Sequence, residues 1–84
     1  MRILDEDNNV VLDDVLIMLT LEEVHQLAGL SRGLYERGRK SRKGTDHFHI
    51  FDETTKKEVT IGIYFPEDLK QVHPRVVKLI EKDE

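Results

Sequence analysis

The chain has 84 residues, no cysteine and a formal net charge of −4, with 36% charged and 38% hydrophobic residues. That length allows one domain, 1–84, with a core that is thin for its surface, and without thiols neither disulfides nor thiolate metal sites can supplement it. The acidic opening Met1-Arg2-Ile3-Leu4-Asp5-Glu6-Asp7 lacks the apolar region of a secretory leader. The longest apolar run, Val15 to Leu19, is too short for a bilayer, so a soluble cytoplasmic protein with no membrane partner is expected.

Arg2 to Leu4 and Val10 to Leu12 are short apolar stretches around Asp5-Glu6-Asp7-Asn8-Asn9, whose side chains favour turns, and together they predict a first hairpin. Val15-Leu16-Ile17-Met18-Leu19 is apolar on both faces, as a central strand covered on both sides is. Thr20-Leu21-Glu22-Glu23 has the capping-box spacing and starts a helix there. Val24, Leu27, Ala28, Ser31, Leu34 and Tyr35 mark one helical stripe, which frays or ends near Gly33 or is closed by Gly38 in the left-handed conformation.

The charge along this part of the chain changes sign. Residues 1–31 carry Arg2 against seven carboxylates, whereas Arg37-Gly38-Arg39-Lys40-Ser41-Arg42-Lys43 holds five positive charges and no negative one, which predicts an acidic body with one basic loop. Beyond it, Asp46 to Asp52 and Glu58 to Phe65 alternate with period two around a polar connector and predict a second hairpin. One face carries Phe48, Ile50, Val59, Ile61, Ile63 and Phe65, the core side; the other carries His47, His49, Phe51, Thr60, Gly62 and Tyr64. Pro66 ends the strand, and Leu69, Val72, Val76, Leu79 and Ile80 follow helical spacing that Pro74 splits into a short turn and a terminal helix. The fold class is therefore α+β in the order β-β-β-α-β-β-α, with two hairpins and a central strand in an antiparallel sheet and two helices chiefly on one face.

No residue set identifies a reaction. Arg37, Arg39, Lys40, Arg42 and Lys43 are spaced to hold phosphates or another polyanion, and Phe51 with Tyr64 offers stacking surface for bases. His47 and His49 form a His-x-His pair able to converge on a metal, but a third ligand would have to come from His25, His73, Asp46 or Asp52, so no metal and no cofactor is expected. Asp5-x-Asp7-x-Asn9 resembles the start of a calcium loop, but Val10 and Leu16 stand where glycine and a bidentate glutamate are required.

These features support a non-enzymatic binding or regulatory module working through protein–protein contacts, in one version a homodimer joined across the face of Phe51 and Tyr64 with His47 and His49 near the partner's basic loop. The alternative is a nucleic-acid or polyanion binder using the 37–43 run. A third reading, a His-dependent phosphodiester hydrolase, has no nucleophile to complete it.

Overall fold

The chain forms two separate β-hairpins, each in contact with its own helix, in a computed structural model that describes residues 1–42 and 46–83. The first hairpin pairs β1 (Ile3–Asp5) with β2 (Val10–Leu12), Ile3 facing Leu12. Its turn is built from the expected residues. Asn9 takes the left-handed backbone, φ 60°, and the Asp5 carboxylate accepts the Asn8 amide at 3.2 Å and its side-chain N–H at 2.8 Å.

Residues 15–19 do not form the expected central strand. Strand pairing requires an edge about 4.8 Å away, and both sheets consist only of their own two strands, so the run meets none. Instead of one sheet covered by helices on one face, the molecule has two small sheets with helices distributed between them.

Helix α1 (Leu21–Ser41) begins where the capping box predicts: the Glu23 amide donates to Thr20 Oγ1 at 3.2 Å, and the Thr20 amide donates to Glu23 Oε1 at 2.9 Å. It runs straight through Gly29 and Gly33. Gly38 does not close it either, because Gly38 is buried inside the helix, where an added Cβ would lie 2.6 Å from Ile63 Cδ1. The glycine provides close approach, and Arg42 takes the left-handed cap at φ 50°, its amide donating to the Gly38 carbonyl at 3.0 Å. The predicted basic loop is thus mostly the last turn of α1; Lys43 lies outside the described residues.

Strands β3 (His47–Asp52) and β4 (Lys57–Gly62) pair antiparallel, with Phe48 opposite Ile61 and Ile50 opposite Val59. Phe48, Ile50 and Leu34 of α1 form a buried cluster, with Leu27, Ile61 and Ile63 packed against it. The predicted core face is correct. The helical stripe is shifted, however: α1 docks through Leu27, Leu34 and Gly38, which leaves Val24 and Tyr35 exposed. β4 also stops earlier than Pro66 predicts, although the Ile63 amide still donates to the Asp46 carbonyl at 3.1 Å.

A 3₁₀ turn (Leu69–Gln71) precedes α2 (Pro74–Asp83), the split that Pro74 at the first helical position imposes. Helix α2 buries Leu79 and Ile80 and packs on β2. Arg2 donates to Asp83 at 2.6 Å and Arg75 to Glu6 at 2.9 Å, so two ion pairs tie the first hairpin to this helix. No helix among the described residues is long and apolar enough to cross a membrane.

Candidate functional site

Three surfaces carry the residues singled out above. The first is the end of α1. The helix directs Arg37, Arg39 and Lys40 outward at successive angles, while the left-handed cap turns Arg42 back toward the 65–67 segment. Each arginine has a carboxylate near it. Arg37 Nε donates to Asp46 Oδ2 at 2.7 Å and its Nη2 to Oδ1 at 3.3 Å, Arg39 lies 3.9 Å from Glu36, and Arg42 pairs with Glu67 while stacking 4.3 Å from the centre of the Phe65 ring. Arg37 in turn holds the Asp46 carboxyl below its ordinary value, chiefly through that hydrogen bond. Lys40 is exposed.

The second surface is the histidine face of β3 and β4. It lines an open cleft of about 710 Å³, closed on the other side by Arg2, Leu4 and Glu6 of the first hairpin and by His73, Arg75 and Val76 at the start of α2. His47 and His49 meet edge to face with ring centres 4.9 Å apart. His49 Nδ1 lies 2.8 Å from Thr60 Oγ1 and 3.6 Å from Glu58 Oε1, so its orientation is set by the opposite strand. Tyr64 lines the cleft, where its side chain hydrogen-bonds Arg2. The Asp83 carboxylate is the main cause that raises the Arg2 guanidinium above its ordinary value.

Phe51 is not part of this cleft. It sits half-exposed opposite Glu58, at the far end of β3, and Tyr64 lies six residues beyond Glu58, roughly 20 Å away along an extended strand. The two aromatics therefore do not adjoin. His73 and Asp46 do join the cleft of His47 and His49, yet among the described residues no group of three carboxylate or imidazole side chains is arranged to hold a metal ion. The contributions of Arg2, Glu6 and Arg75 were not visible in the sequence, because no periodicity connects residues so far apart in the chain.

The third surface appears where a buried strand was expected. Leu16 and Met18 are 83% and 85% exposed, Val15 and Ile17 50% and 46%, and Leu19 is partly buried. Leu21 and Val24, on the first turn of α1, are 87% and 48% exposed. Its sequence signal was the two-faced apolar pattern itself. Comparisons with protein-family models, with curated proteins and with solved structures returned no match.

Proposed function

We propose that the protein is a non-enzymatic interaction module that binds another protein chain through residues 15–24. One observation carries this reading: six large apolar side chains, close together in sequence, face solvent, while five hydrophobic side chains are buried among the described residues. Scattered exposed apolar residues are ordinary, but a contiguous group marks a surface that is covered in use. The competing polyanion reading has less support, because Arg37, Arg39 and Arg42 already have carboxylate neighbours.

A photo-crosslinking amino acid at position 16, compared with one at exposed Lys78 on α2, tests the reading in cells. A protein adduct from position 16 and none from position 78 is the expected result. Adducts equally frequent from both positions would remove residues 15–24 as the contact surface, and oligonucleotide binding that weakens steeply between low and physiological salt would favour the polyanion-binding reading instead.

A further inference from the structure

The geometry points to a second binding site: the histidine cleft takes a small phosphate monoester with an apolar ester group, held between His73 and Arg75 on one wall and His49 on the other. The volume of the cleft, about 710 Å³, lies within the range of small-molecule sites. None of its residues belongs to the 15–24 surface, so the two readings stand or fall separately.

Three side chains carry nitrogens that no described residue engages. His73 Nδ1 accepts the Arg75 amide at 3.1 Å, so the ring proton sits on Nε2, a donor without a partner among the described residues. Arg75 uses only Nη2, on Glu6 at 2.9 Å, which leaves Nε and Nη1. On the opposite wall Thr60 and Glu58 lie 2.8 and 3.6 Å from His49 Nδ1, and its Nε2 is left for a ligand. Once protonated, that ring donates from both nitrogens. His47 lies against it and adds a second imidazole to the same wall. The three terminal oxygens of a phosphate point in different directions and accept from both walls, whereas the two of a planar carboxylate face one.

The carboxylates of the cleft are matched by arginines, apart from Glu58. Arg75 neutralises Glu6, and Arg37 contacts both carboxylate oxygens of Asp46. Arg2, engaged by Asp83 and Tyr64, completes the charged groups that face the imidazoles. Glu58 is left beside His49, and a proton taken up by that ring balances it; a second on His47 makes the wall positive. Anion binding is thus coupled to proton uptake and strengthens as pH falls. Leu4, Val72, Val76 and Ile80 line the side of the first hairpin and α2, a surface for an aryl or alkyl ester group rather than a bare ion.

Imidazole NMR signals test this, because the chain has four histidines and His25, on α1, lies outside the cleft as an internal reference. Phenyl phosphate titrated into the wild-type protein at constant ionic strength should shift the His47, His49 and His73 signals saturably and leave His25 in place. The midpoint should fall at least about threefold from about pH 7.5 to about pH 6, the range in which imidazoles gain charge. The phosphate's own second ionisation, near pH ~6, acts in the opposite sense and cannot produce that trend. Arg75→Gln should raise the midpoint at least about tenfold with an unchanged far-ultraviolet circular dichroism spectrum, whereas Arg39→Gln, outside the cleft, should leave it unchanged. Equal displacement of His25, no saturable shift up to about 10 mM, or a midpoint no lower at the acid pH would overturn the site. Benzoate binding as tightly as phenyl phosphate would overturn the choice of phosphate, and a response to zinc alone would replace the anion with a cation.

Discussion

Replacing Gly29 with alanine should make the protein more stable. Gly29 lies inside α1, is exposed, and an added Cβ would meet nothing within 4 Å, so the substitution brings no clash. What changes is the unfolded chain, which loses freedom when glycine becomes alanine, and the helix gains about 0.5–1 kcal/mol. For a domain of this size that corresponds to a rise of roughly 2–8 °C in Tm. Gly38→Ala is the matched contrast. It receives the same helical gain, but its Cβ would sit 2.6 Å from the terminal methyl of half-buried Ile63, which must shift, and overpacking costs about 1–3 kcal/mol. The net expectation is a loss of about 0–2.5 kcal/mol, so the two alanine variants should differ by about 1–3 kcal/mol. Urea melts followed at 222 nm at one fixed protein concentration measure both. If Gly29→Ala were neutral or destabilising, Gly29 would not sit in a continuous helix. If Gly38→Ala stabilised the protein as much as Gly29→Ala, the Ile63 contact would not be what places a glycine there.

Ile50→Ala should cost about 2–5 kcal/mol because Ile50 is 5% exposed within the α1–hairpin cluster, whereas Thr20→Ala should cost about 1 kcal/mol through the lost cap; equal effects in the same melts would reverse the assignment of faces on β3. Asp46 is held below its ordinary value of 3.8 mainly by Arg37, so its contribution to stability is fully present above that value and is lost as pH falls through the lower folded-state value. Asp46→Asn should therefore flatten the acid side of the stability profile below about pH 4 and leave its shape near neutrality unchanged, and an unaltered acid limb in melts from pH 2 to 7 would show that the pair is not formed in solution.

Legibility in the sequence followed the range of the interactions. The capping box of Thr20 and Glu23 and the alternation that separates the two faces of the second hairpin depend on neighbours within a few residues, and both hold in the structure, although β4 covers 57–62 where the alternation predicts 58–65. Gly38 was misread because a glycine near a basic cluster looks the same whether it ends a helix or admits a neighbour. Only Ile63, 25 positions away, distinguishes the two. The 15–19 run was misplaced for a related reason: β-propensity describes a side chain's fit to a pleated surface but does not supply the edge to pair with. The histidine pair was visible, but its surroundings were not, since Glu6 and Arg75 meet across 69 positions.

The two halves of the molecule differ in how far their contacts reach along the chain, and this bears on how it folds. Helix α1 and the β3–β4 hairpin are consecutive, so their cluster closes short loops. The union of the first hairpin with α2 must instead bring together Arg2 and Asp83, 81 positions apart, and Glu6 and Arg75. Closing so long a loop carries more entropy, so the consecutive unit should assemble first and the joined ends dock late. On the reverse path the late unit detaches first, as a partial opening below the global unfolding free energy. The histidine cleft lies along that seam, with one wall on each unit, and is therefore the part of the molecule most readily widened without unfolding the rest.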